Sequence, residues 1–324
     1  MSNKFYPVAV EIGSVTKTMT AALLASLIEE GRLNLDDPLA MHLPLIAKVP
    51  DFERQPILLN HLVTHTSGLP LEPDIAILSD LDNPYADLTE AQVIEVLGSV
   101  KLDRAPGAQW EYSSFGYLLL CYVVAHTART DLETLMRERI FNPLGMNYAY
   151  ILQPRPGMTV AVGHTTFDDQ PTSPWVSSVN LDGIGGVRAT LDDMVRYAQA
   201  QLGIGDAHTV TTLKLAQDLV DSGADYPTEG PEMGMGWWRV SLDGETILFH
   251  GGNTPGFASM VVVDPKKERA IVLLTDVHLD FGIEEVVQHL LEPSEYEIPP
   301  AETRRCSGSG SVGIAARSLC CRRH

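Results

Sequence analysis

The strongest constraint on the fold is a change of hydrophobic pattern near residue 246. Three short runs, 246–250, 257–263 and 270–275, are rich in Val, Ile, Leu, Phe and Thr and are separated by Gly/Pro or charged turns. This pattern predicts consecutive antiparallel strands. The earlier part of the chain reads differently. Apolar residues recur at helical spacing over 59–63, 91–100, 115–126, 131–141 and 191–202, punctuated by Pro and Gly. A first helix is expected to start near Ser14, because Met19, Leu23, Leu24, Leu27 and Ile28 follow helical spacing and Gly31 stops the pattern. Residues 283–291 predict one more amphipathic helix, packed on the sheet. Together these segments predict an α/β (α+β) fold in which an antiparallel sheet is flanked by helices. The expected divisions are 1–33 with 235–292 as the sheet part, 34–234 as a large, mainly helical insert, and 293–324 as a tail. The main sheet is expected to draw strands from both ends of the chain, with one short strand over 6–12.

The composition excludes several function classes. The 324 residues are 44% hydrophobic, enough for a sizeable core. The formal charge of −19 carries no electrostatic footprint for nucleic acid or an anionic membrane. No apolar run reaches the roughly 18–20 residues that span a bilayer, and the N-terminal residues lack a signal-like apolar core, so the chain as written reads as cytoplasmic. Five arginines and no acids lie in 303–324, leaving 18 bases against 42 acids in 1–302. Cys306, Cys320 and Cys321 share that Gly/Ser/Arg-rich tail, which is expected to be disordered from 303. Cys121, inside an apolar run, reads as a small core residue.

Motifs for phosphate or metal are poor. Gly183-Ile184-Gly185-Gly186 has neither the spacing nor the lysine of a phosphate loop. His61 and His65 are four residues apart without the glutamate of a zinc motif, and bonding to backbone in a turn is the favoured reading. No cofactor and no metal is expected.

Ser14-Val15-Thr16-Lys17 places a hydroxyl and an amine one helical turn apart. Serine needs a base to become a nucleophile, and a desolvated lysine amine can take its proton. Free N–H groups at a helix start suit the oxyanion of an acyl-enzyme. The spacing alone is a weak signal, since a helix cap followed by a surface lysine gives it too. Two further phrases add weight: Tyr112-Ser113-Ser114 at the start of an apolar helix, and His250-Gly251-Gly252-Asn253 at the end of a strand. There, small residues such as Gly252 let a substrate approach the backbone.

With these phrases, 12–17, 62–69, 142–146 and 250–256 in order, the sequence resembles the serine β-lactamase and penicillin-binding-protein superfamily, in its class C-like branch with family VIII carboxylesterases. The resemblance runs from about residue 8 to about 291. It implies a β-lactamase/transpeptidase-like fold, Ser14 as the acylated nucleophile, Lys17 as its base and Tyr112 as a proton shuttle. It also implies oxyanion donors at the Ser14 and Asn253 backbone, with His250, Gly252 and Ser114 around the substrate. His250 stands where many lactamases have lysine, and Ser114 where asparagine is frequent. A neutral histidine holds a carboxylate less well than a lysine, which tilts the expectation toward small esters or amides. The rivals are a β-lactamase or D-amino-acid-specific peptidase, and a truncated, non-catalytic module that self-associates through an exposed sheet edge. The second rival arises because members of this branch usually carry a longer segment before the serine. Trp237 and Trp238 read more readily as core than as an acyl pocket.

Overall fold

The computed structural model describes residues 7–74, 83, 85–166, 168–177, 180–221, 232–242, 244–278 and 282–294, with backbone alone at 315–320. The β-rich stretch forms the strands Glu245–Thr254, Phe257–Asp264 and Arg269–Thr275. A tight turn at Pro255 and Gly256 sets the first register, with Thr254 opposite Phe257 and Leu248 opposite Val263. These strands are the middle of a six-stranded antiparallel sheet that continues through Trp238–Leu242 to Glu232–Met233 on one side and ends at Ala315–Cys320 on the other. Every residue of Phe257–Asp264 is buried. A strand covered on both faces reads as a continuous apolar run, which is why it stands out in the sequence. Val261 and Val263 feed the larger core, and Met260 and Val262 a smaller one under the helix Ile283–Leu291.

Two expectations about the chain's ends need correction. The strand Val8–Glu11 does not join the main sheet; it pairs in parallel with Thr159–Val160 and antiparallel with Arg188–Thr190 in a separate three-stranded sheet. Strand character was legible over 6–12, but the partners lie some 150 to 180 residues away and carry no local signal. In the tail, expected to be disordered from 303, the backbone of Ala315–Cys320 is an edge strand paired to 269–274. That strand lies on the outer edge of Arg269–Thr275. Residues 303–314 and 321–324, with Cys306 and Cys321, lie outside the described residues.

Between the sheets lie mainly helices, among them Leu59–Val63, Glu90–Leu97, Ser114–Ala128 and Leu191–Gln201. The expected helix over 131–141 is Leu132–Met136 followed by a π-helical turn, Arg137–Phe141, and Ala207–Gln217 is a further helix that the sequence reading did not anticipate. The first helix, Thr16–Glu29, is wrapped by Ser114–Ala128, Ala207–Gln217 and the turn Asp182–Ile184. Its threonines are buried at no hydrogen-bonding loss: Thr18 Oγ1 donates to Val15 O at 2.7 Å and Thr20 Oγ1 to Gly183 O at 2.8 Å. Cys121 packs in this core fully buried, where burial pushes its thiol up to about 12. Among the described residues, no helix is long and apolar enough to cross a membrane.

Candidate active site

The chain enters the first helix through a 3-10 turn, Gly13–Val15, so Ser14 stands just ahead of the α-helix. This turn presses against the strand Glu245–Thr254. The neighbouring strand Trp238–Leu242 stops opposite Phe249, so the edge of His250–Thr254 beyond it is open toward the turn. Two glycines make the approach possible. Gly13 has φ +49°, and a Cβ there would sit 2.7 Å from Asn253 N; a Cβ on Gly252 would sit 2.1 Å from Ile12 O. Ser259 Oγ donates to Ile12 O at 2.7 Å and pins the turn to the sheet.

Lys17 follows one turn later, 1% exposed. Its Nζ lies 3.1 Å from Ser14 Oγ and donates to Ile184 O at 2.8 Å. Neither partner is a carboxylate, and among the described residues no ion pair engages the amine. The Ile184 carbonyl comes from the Gly183-Ile184-Gly185-Gly186 segment. Two of its glycines are there for close packing: a Cβ on Gly183 would meet Cys121 Sγ at 2.6 Å, and one on Gly186 would meet Asp182 Cβ at 2.6 Å. Asp182 braces the segment through Ser177, and burial raises its carboxyl to about 6.

Ser14, Lys17, Ser114 and Asn253 line one cleft of about 390 Å³. Tyr112 flanks it, with its ring centroid 5.2 Å from Lys17 Nζ. The Tyr112 ring stacks on His65 at 4.2 Å, and His65 Nδ1 accepts the Ser113 N–H at 3.1 Å. His61 Nδ1 accepts the Leu58 N–H in the same way at 3.1 Å. Both histidines therefore need a neutral ring and serve as braces. Burial holds His61 down at about 4 and His65 well below the ordinary range.

His250 is 2% exposed, behind the cleft wall rather than in it. Its Nδ1 lies 2.6 Å from Gly251 O, which makes Nδ1 the donor. Burial first, then the nearby Lys17 charge, depresses it to about 3, so it is a neutral ring and not a substitute for lysine. Gly252, packed on Ile12 O, also stays out of the lining. Trp237 is fully buried core, whereas Trp238 packs edge-on against Trp110 at 5.1 Å and against Phe249 at 5.7 Å.

Several cleft residues escaped the sequence reading: Glu72, Tyr85, Trp175 and Ile184. Glu72 accepts from the Tyr85 hydroxyl and from Ser114, and burial raises its carboxyl against the opposing pull of the Ser114 bond and Lys17. Glu11, on the first strand, forms a buried pair with Arg188 at 2.8 Å and accepts the Trp175 N–H at 2.8 Å, fixing that wall of the cleft. Glu72, Tyr85 and Trp175 sit in no motif, so no sequence signal marked them, and Ile184 lies in the glycine-rich phrase 183–186, whose sequence signal pointed only to an incomplete phosphate loop.

The Beta-lactamase family profile matches residues 9–280. The chain belongs to the beta-lactamase family. It is 32% identical over 279 residues to the D-alanyl-D-alanine-carboxypeptidase/endopeptidase AmpH of Escherichia coli K12, covering 82% of this chain and 70% of AmpH. It is 25% identical to Protein flp of Staphylococcus aureus MW2, covering 86% of this chain and 55% of that protein. Two solved structures share the fold. A beta-lactamase/D-alanine carboxypeptidase from Yersinia pestis superposes with TM-score 0.70 at 24% identity, covering 86% of this chain and 82% of that one. An octameric penicillin-binding protein homologue from Pyrococcus abyssi gives TM-score 0.71 at 20% identity, covering 88% and 65%. The expected superfamily and fold are thereby established, and the coarse function is that of a beta-lactamase-fold serine hydrolase.

Proposed function

We propose that this beta-lactamase-family chain cleaves small carboxylic esters or amides through an acyl-enzyme on Ser14. The observation that carries the reading is the 3.1 Å contact between Ser14 Oγ and the buried, carboxylate-free amine of Lys17, at the mouth of a cleft. As Ser14 Oγ attacks the carbonyl carbon, its proton passes to Lys17 Nζ. Collapse of the tetrahedral adduct breaks the C–O or C–N bond, and the proton goes to the leaving group by way of Tyr112. Water then adds to the acyl carbon, gives its proton back through the same groups, and releases the acid and free Ser14. The Ser14 and Asn253 backbone amides are the proposed oxyanion donors. Ser114 contacts the substrate, Gly252 permits the strand's close approach, and His250 supports the wall from behind.

A D-amino-acid-specific peptidase is the second reading, favoured by the 32% identity to AmpH. The neutral, buried His250 argues against a site built for a β-lactam or peptide carboxylate. The test is hydrolysis of p-nitrophenyl butyrate, nitrocefin and a D-alanyl-D-alanine peptide by the wild type beside Ser14→Ala, with both shown to be folded by circular dichroism. Ester turnover that disappears in the variant supports the proposal. Turnover of the peptide or nitrocefin alone transfers it to the second reading, and no Ser14-dependent turnover sinks both.

A further inference from the structure

The charges around the cleft are few and uneven. Among the described residues that line it, Lys17 is the basic side chain and Glu72 the acidic one. Lys17 is engaged with Ser14 Oγ and Ile184 O. His250, which stands where a cation would hold a substrate carboxylate, is neutral. The described lining thus offers a carboxylate to an incoming substrate and, among the described residues, no uncommitted cation.

Glu72 is also held in place. The Tyr85 hydroxyl donates to its Oε2 and Ser114 donates to the same carboxylate. A carboxylate accepts about four hydrogen bonds, so two donors orient it and leave acceptor capacity for a ligand. Beside it, the rings of Tyr85 and Trp175 meet at 5.0 Å and 54°, and both line the cleft. Aromatic faces next to a carboxylate suit an organic cation, because ring quadrupole and negative charge act in the same direction. Tyr85 is 6% exposed, and the Trp175 backbone N–H donates to Glu11 Oε1, which holds the main chain of this wall.

We propose that Glu72, with Tyr85 and Trp175, selects substrates whose acyl part carries an ammonium group a few bonds from the scissile carbonyl. The inference rests on the acyl-enzyme reading above and narrows its substrate class to aminoacyl or other cationic acyl esters and amides. It sets this cleft apart from one that recognises a free carboxylate.

The test uses a pair of esters that differ in charge alone: p-nitrophenyl 4-(trimethylammonio)butyrate and its neutral isostere p-nitrophenyl 5,5-dimethylhexanoate, with mono-p-nitrophenyl glutarate as the anion. Each rate is corrected for spontaneous hydrolysis, and the readout is the ratio of kcat/KM values rather than any absolute rate. The wild type is expected to prefer the cationic ester over its isostere by at least about tenfold, or about 1.4 kcal/mol. Glu72→Gln should bring that ratio to within about twofold of one, and Glu72→Lys should favour the glutarate ester. A ratio near one in the wild type, or one unchanged in Glu72→Gln, overturns the inference. Ser14-dependent hydrolysis of the neutral ester without a cationic preference would leave the acyl-enzyme reading standing and remove only this one. Failure of all three esters would sink both.

Discussion

The two faces of the main sheet bury different chemistry. On the face toward Ser14, a large apolar core surrounds buried Lys17, His65, Asp182 and the Glu11–Arg188 pair. On the other face, Ile247, Met260, Val262, Ile271 and Leu273 meet Ile283, Val287 and Leu291 of the C-terminal helix, and at the rim the buried Asp264 pairs with Arg269 at 3.0 Å. Buried polar groups cost several kcal/mol each unless partnered, so the first face can hold its site only inside an extensive apolar surround. The second face is covered mainly by a stripe of apolar side chains, and its helix keeps Glu284, Glu285 and Gln288 outside that cluster. The catalytic groups therefore fall on one side with most of the buried polar groups named above, and the other side is mainly hydrophobic cover edged by the Asp264–Arg269 pair.

The largest expected difference between the faces is kinetic. Ser14→Ala should lower ester kcat/KM by about 10³-fold or more with its melting temperature within a degree or two of wild type. A variant retaining a tenth of wild-type turnover would contradict the assignment of Ser14. Next in size is Arg188→Met, which leaves Glu11 buried without its partner and should cost about 3–5 kcal/mol in urea unfolding. Trp237→Ala on the same face should cost a similar 3–5 kcal/mol. A smaller loss, about 2 kcal/mol, is expected for Leu291→Ala, because its site lies at the margin of the lesser core. Equal losses for Trp237→Ala and Leu291→Ala would erase the contrast in packing.

The smallest effect concerns pH, and it too belongs to the first face. His61 and His250 are held near 4 and 3, below the ordinary 6.5, so the folded state favours their neutral forms. Their contribution is complete above about pH 6.5 and is lost as pH falls toward those values. Asp182 works in the opposite direction. Its carboxyl is raised from 3.8 to about 6, so its contribution is present at low pH and is lost as pH rises through that window. The melting temperature should therefore fall between pH 7 and pH 5, and fall more steeply in Asp182→Asn, where the offset is missing. A flatter profile in that variant would mean that the carboxyl is not the opposing group.

Much of this was legible in the residues. The three strands, the helices at 59–63 and 283–291, and the Ser14–Lys17 pairing followed from local spacing. The histidines at 61 and 65 proved to be backbone-bonded braces, and Cys121 a core residue. The helix Ala207–Gln217 was missed because its apolar pattern is weak, with threonines and lysine interleaved. His250 was legible as a departure from lysine, but not as a residue behind the wall. Its burial depends on how closely Glu245–Thr254 approaches the Ser14 turn.

What the sequence determined by itself is what the backbone repeats locally: the position of Lys17 one turn after Ser14, the tight turn at Pro255 and Gly256, and the unbroken apolar run of a strand buried on both faces. What the tertiary structure decided is which distant groups meet there. Ile184 O reaches Lys17 across 167 positions, Glu11 finds Arg188 across 177, and Glu72 joins Ser114, Tyr85 and Trp175 in one cleft. Such meetings depend on the packing of whole elements against one another, and no short-range pattern of side chains encodes them.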